Sequence, residues 1–309
     1  MAARKGAHGF VSGNAAHARA VDPRRTKRGT TVAQGVERDG LGWTVPVMRA
    51  GYAGRGLVYL VVAGFSLWAV WHGGQAEGTE SAFARLEGST WGTAVLIAIA
   101  LGMLAYAVWR TIDAAYDLEA EGSDAKGLVA RAGQVTTGLI HLGLGFAAVS
   151  LLMGSGGGEG GKNGVAKAAS AVMQWPYGPT LVAIAGALTI GAGVYYVAKA
   201  VKGSYRRKLY ANAFTRNFDG ALRFGVLAQA ALVLIIGGFL LYAGLTADPS
   251  EAGGVGETFS WVSQQAYGRW LVAALCVGLL GFATFCFVNA AYRIVPRVAG
   301  DEATSLASA

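Results

Sequence analysis

Arg49-Ala50-Gly51-Tyr52-Ala53-Gly54-Arg55-Gly56-Leu57-Val58-Tyr59-Leu60 decides how this chain folds, because it returns in degenerate form from Arg131-Ala132-Gly133 to Leu142 and from Arg223-Phe224-Gly225 to Leu234. One unit is written three times. Each copy opens a long apolar run, and a second run follows through an aromatic-Gly pair: Trp91-Gly92, Tyr177-Gly178 and Tyr267-Gly268. Crossing the hydrocarbon core takes about 20 apolar residues at 1.5 Å rise each. The reading is an all-α membrane protein of six transmembrane helices, arranged as three parallel two-helix hairpin repeats. They occupy residues 48–120, 128–204 and 219–295, between a disordered basic arm at 1–47 and a tail at 296–309.

Composition agrees with that reading. With 53% hydrophobic and 14% charged residues in 309, the chain has too little charge for the surface of soluble domains. The net charge of +8 is distributed by segment: nine Lys and Arg lie in the first 49 residues and seven between 199 and 223, while the alternate loops hold only Arg85, Lys162, Lys167 and Arg269. The positive-inside rule then places both termini in the cytoplasm. The arm has no apolar periodicity and no secretory h-region, so the first helix is expected to act as an uncleaved insertion signal. Its cluster Arg24-Arg25-Thr26-Lys27-Arg28, beside a membrane span, reads as a topology determinant and contact for anionic lipid headgroups rather than a nucleic-acid site. Arg206, Arg207 and Lys208, in the most basic loop, are read as lipid-facing for the same reason.

On the opposite side, Phe83 and Leu86, Ala169 and Val172, and Phe259 and Val262 stand nine and six residues before the paired glycines, which predicts a short interfacial helix in each copy. Small residues at fourfold spacing, Ala94, Ala98 and Gly102, then Ala183, Ala187 and Gly191, then Ala274 and Gly278, predict close helix packing.

Function is sought first among ionisable groups within the apolar runs, where they are expensive. Six residues after the opening Arg stand Arg55, Thr137 and Gln229; twenty-one after the paired Gly stand Asp113, Lys199 and Asn289. With His141, these make a candidate intramembrane polar cluster, with contacts expected for Arg55 with Asp113, Gln229 with Asn289, and Thr137 near Lys199. Either each pair clamps its own hairpin, or the cluster lines a path for an ion or proton. Arg110 is expected to snorkel to the interface. Cys276 and Cys286 are ten residues apart, about 15 Å along a helix, too far to bridge. The sequence has no zinc or haem-attachment spacing, phosphate loop, catalytic triad or paired-carboxylate site. No cofactor and no catalysis are expected.

The opening Arg49 to Tyr59, the aromatic-Gly entry and the ending Tyr106-Ala107-Val108-Trp109-Arg110 resemble the bacterial, mainly actinobacterial, membrane proteins grouped as domain of unknown function family 1206. Copy one matches well, whereas Thr137 and Gln229 replace the Arg at position 55 in the others. The resemblance implies three two-helix repeats over roughly residues 48–295 and a bacterial plasma-membrane location, with no activity to transfer. The expected role is a membrane scaffold or accessory subunit, whose partners are the bilayer and another membrane protein. A small-solute or ion translocator is the alternative.

Overall fold

The computed structural model describes residues 40–154, 164–299 and 304–308, so the predicted arm lies almost wholly outside the described residues. Six long helices dominate: α1 (Thr44–Trp71), α3 (Thr90–Tyr116), α4 (Ala125–Leu152), α6 (Gly178–Val201), α8 (Asp219–Thr246) and α10 (Gly268–Tyr292). All are long and apolar enough to cross a membrane, as expected of an integral membrane protein. Shorter helices α2 (Thr79–Ala84), α5 (Gly164–Met173) and α9 (Val255–Ser263) precede the returning spans, and α7 (Ala213–Asn217) lies in the basic link before α8.

The aromatic-Gly pairs have a steric cause. A Cβ on Gly92, Gly178 or Gly268 would lie 1.9, 2.3 or 2.0 Å from the carbonyl oxygen of Leu86, Val172 or Ser263, so only glycine lets the short helix turn straight into the span. Tyr177 and Tyr267 take the left-handed conformation there, with φ of 61° and 62°; the first copy places its left-handed turn earlier, at Gly88. Ser89 Oγ accepts from the Gly92 N–H at 3.0 Å, and Asp124 Oδ1 from that of Gly127 at 2.9 Å, capping α3 and α4.

Around the bundle the spans follow chain order. α3 packs on α4, α6 on α8 and α10 on α1, three equivalent joins between successive repeats. Within repeats, α1 packs on α3 and α8 on α10, yet α4 and α6 are not packed together along their length. The ring is open at the second hairpin.

Equivalent residues explain why. In copy one, Gly54 and Gly102 meet backbone to backbone, each lying 2.5 Å from where the other's Cβ would be. In copy three the same positions are Ala228 and Gly278, again in tight contact. Copy two has Thr136 and Leu188 there; both are exposed. The Arg-x-Gly glycine behaves alike: Gly51 would strike Tyr106 Cα and Gly225 the carbonyl carbon of Gly281, but Gly133 faces open space. The expected small-residue stripes are therefore corrected in part. Ala94, Ala98, Ala187 and Ala274 point outward, and α6 packs on the next repeat instead, through Gly186 against Leu241 and Ala183 against Gly244.

The half of the bundle nearer the short helices is filled by apolar side chains, among them Val58, Val62, Leu96, Ile99, Leu232, Val272 and Leu279. Phe83, Leu86, Phe259 and Val262 turn inward onto this core, and Ala169 is buried beside it in a satellite cluster. The short helices thus cover the end of the bundle with the apolar faces that their spacing predicted.

Candidate functional site

The other end, where the basic loops gather, is held by ion pairs. α3 ends at Asp117 in the left-handed conformation, φ 51°, and Asp117 Oδ1 accepts from the Glu121 N–H at 2.7 Å. This folds the following turn back so that Glu119 points inward, 6% exposed. Meanwhile the link after α6 is stitched to the end of α10: Ile294 N–H donates to the Lys208 carbonyl at 3.0 Å and Tyr210 N–H to that of Tyr292 at 2.9 Å. That places Lys208 and Arg293 side by side, facing Glu119.

Glu119 is the hub. Arg293 reaches it through Nε at 3.0 Å and through a second nitrogen, Lys208 Nζ stands 2.5 Å from Oε2, and Arg110 Nη1 stands 3.7 Å from Oε1. Lys208 also binds Glu121 at 2.6 Å, and Arg297 binds Asp117 at 3.0 Å. Arg293 Nη1 donates to Asn289 Oδ1 at 2.5 Å. The first repeat, the 2–3 link and the end of the third repeat are thereby joined at one carboxylate. Burial alone would raise the pKa of Glu119, but Arg293, Lys208 and Arg110 outweigh it and hold the group well below the usual glutamate range.

The sign of the pH dependence follows. A carboxylate with a depressed folded pKa contributes stability that is complete above its ordinary value and is lost as pH falls through the folded one. Thermal unfolding in mild detergent should therefore show a midpoint that falls progressively below about pH 4.5, and a Glu119→Gln protein should lose most of that acid-side slope.

The candidate polar residues sit above and beside this hub, and their pairing differs from expectation. Asp113 meets Arg110 at 3.1 Å and accepts from the Glu119 N–H at 3.1 Å; Arg55 does not reach it. Instead Arg55 Nη1 donates to Tyr106 Oη at 2.9 Å. Asn289 donates to the Phe285 carbonyl and accepts from Arg293, leaving Gln229 Oε1 buried without a partner. Thr137 bonds the Gly133 carbonyl of its own helix, since the open hairpin keeps α4 away from Lys199. Arg110, expected to snorkel, turns inward to Asp113, Tyr106 and Tyr52. His141 packs against Tyr106, ring centroids 4.6 Å apart and the planes tilted by 47°, and its Nδ1 donates to the Thr137 carbonyl at 2.7 Å.

Among the residues read as lipid-facing, Lys208 is spent on Glu119 and Glu121, and Arg206 pairs with Asp219. Arg207 is exposed. Repeat alignment missed Glu119, whose counterparts are the uncharged Tyr205 and Val295, as it missed Arg293, whose counterparts are Asp117 and Gly203. The available signal was charge: Asp117, Glu119 and Glu121 form an acidic run among segments otherwise dominated by Lys and Arg. Among the described residues no three His, Cys, Asp or Glu side chains are grouped to hold a metal ion.

A family model described as Domain of Unknown Function (DUF1206) matches the chain three times, at residues 50–117, 132–203 and 224–293. The chain is also similar to "Uncharacterized protein YxxB" of Bacillus subtilis (strain 168), 23% identical over 255 residues that span 81% of this chain and 92% of that protein. No solved structure matches.

Proposed function

Because the chain belongs to the DUF1206 family, a domain of unknown function, we propose from its own residues that it is a non-catalytic scaffold or accessory subunit of the bacterial plasma membrane, with both termini cytoplasmic. The observation that carries this reading is the division of the bundle along its axis. Charged groups cluster at the basic end and largely satisfy one another around Glu119, while the other half is packed with apolar side chains. A translocation path needs polar groups or water along its length. A scaffold needs a rigid frame, and a buried network bonded at nearly every member supplies one. The basic end of the frame carries exposed Arg207 and half-buried Arg206 toward the cytoplasmic leaflet, where anionic headgroups attract such residues.

Native mass spectrometry of the protein, extracted gently from its own membrane, tests this. The expected result is a complex with another membrane protein at fixed stoichiometry. Recovery of the chain alone under conditions that preserve other membrane complexes would count against a scaffold. The translocator reading is favoured by one feature, the interior cations Arg55 and Lys199, which the Glu119 network does not neutralise; solute flux in proteoliposomes is its test.

A further inference from the structure

Two cations inside the bundle lack the anion that their position calls for. Arg55 is 6% exposed, and its Nε has no hydrogen-bond partner. Its guanidinium lies over three aromatic rings, 5.1 Å from Phe282, 5.3 Å from Tyr106 and 5.8 Å from Tyr59, and no carboxylate among the described residues pairs with it. Lys199, on α6, places Nζ 5.8 Å from the Phe285 ring of α10 and 5.8 Å from that of Tyr196. It too makes no ion pair among the described residues. The rings that the two cations approach, Phe282 for Arg55 and Phe285 for Lys199, are stacked with centroids 5.6 Å apart.

Every other interior charge in this end of the bundle has a partner of opposite sign. Arg110 has Asp113, Arg293 has Glu119, and Lys208 has Glu119 and Glu121. Tyr106 Oη accepts from Arg55 Nη1 and the aromatic faces attract the cation, but Nε stays without an acceptor, and an unpaired charge in low dielectric is costly. An oxyanion is the group that satisfies both, because a guanidinium edge and an ammonium each donate to phosphate or carboxylate oxygens in short charge-assisted bonds. α4 and α6 are not packed together along their length, and Lys199 and Tyr196, both half-buried, stand on α6.

We propose that Arg55 and Lys199 form a binding site for an oxyanionic group, entered through the opening between the two helices of the second repeat. The opening faces sideways into the bilayer, so a phospholipid headgroup can enter with its chains still in lipid; a free phosphate would come from the basic end. The chemistry at the two cations is the same. The site is independent of the scaffold reading, since it requires no protein partner.

The test uses the full chain in phosphatidylcholine nanodiscs, with thermal unfolding as readout and two arms: inorganic phosphate added to solution, and phosphatidylglycerol included in the disc. A ligand that binds only the folded state raises its unfolding temperature. The wild type should shift in at least one arm; the phosphate arm marks a free anion and the phosphatidylglycerol arm a headgroup. Lys199→Gln and Arg55→Gln should each weaken the apparent affinity by about tenfold or more, as loss of a charge-assisted contact requires. Arg55→Lys and Lys199→Arg should retain part of the response, and Arg207→Gln, at the exposed basic surface, all of it. Should Arg55→Gln fail to fold, Lys199→Gln decides, because Lys199 is only partly buried and makes no hydrogen bond among the described residues whose loss would unfold the chain. A wild type that shifts in neither arm, or a Lys199→Gln protein that shifts as the wild type does, overturns the proposal.

Discussion

Glu119→Gln should lower the stability of the folded protein by about 3–5 kcal/mol, the cost of breaking a buried ion pair by removing one partner. The change is isosteric, so packing is preserved and the loss reports the charge together with one of the two acceptor oxygens, which becomes an NH2 donor. Arg293, 8% exposed and doubly bonded to Glu119, would keep its positive charge with neutral neighbours alone, the Asn289 oxygen and the Tyr52 ring among them. Lys208 would suffer less, since Glu121 stays within 2.6 Å and the lysine is partly exposed. The measurement is reversible unfolding in mild detergent, with Arg293→Gln made alone and in combination. Coupling between the two positions should exceed 1 kcal/mol, the range for residues in one network. A Glu119→Gln protein within about 1 kcal/mol of wild type would show that the three segments are held by something other than this carboxylate.

The second large effect separates residues that the repeat makes equivalent. Gly51, Gly133 and Gly225 occupy one place in the motif, yet Gly225→Ala should cost about 3 kcal/mol, at the upper end for overpacking, while Gly133→Ala should be neutral or stabilising by about 0.5–1 kcal/mol. At Gly225 the new Cβ would lie 2.3 Å from both the carbonyl carbon of Gly281 and the amide nitrogen of Phe282. Backbone cannot rotate aside as a flexible side chain can, so α8 and α10 must part. At Gly133 nothing lies within 4 Å, and the only consequence is a better helix former. Gly51→Ala should resemble Gly225→Ala. Equal midpoints for Gly133→Ala and Gly225→Ala in thermal unfolding would mean that hairpin closure in the first and third repeats contributes nothing to stability.

These glycines also mark what could be read from the chain. Repetition of the Arg-x-Gly opening and the aromatic-Gly pair, together with hydropathy, reveals six helices in three repeats, because each is a local pattern with a local cause. The short covering helices were legible for the same reason, from two apolar residues at a fixed distance before each Gly. Pairing among the polar residues was not. Equal depth along two helices says nothing of the angle at which each side chain leaves its axis, so Arg55 turned to Tyr106 rather than to Asp113. The open hairpin was visible in principle, in Leu188 where its counterparts are Gly102 and Gly278. Its meaning emerges only when those glycines are seen to touch a facing backbone or side chain.

The gap within the second repeat bears on how the protein is made. Spans leave the ribosome in order, and most find a neighbour already in place: α3 meets α1, α4 meets α3, α8 meets α6, and α10 meets both α8 and α1. Only α6, after the opening helix, arrives to no packed neighbour, because its span partner α8 is still to be synthesised. It therefore has to be stable in lipid by itself for a time, and its composition suits that: mean hydropathy 1.9 with only 17% of its apolar window buried in the finished bundle. Among the spans after the first, α6 is thus the one that must hold its place in lipid unaided until α8 follows it.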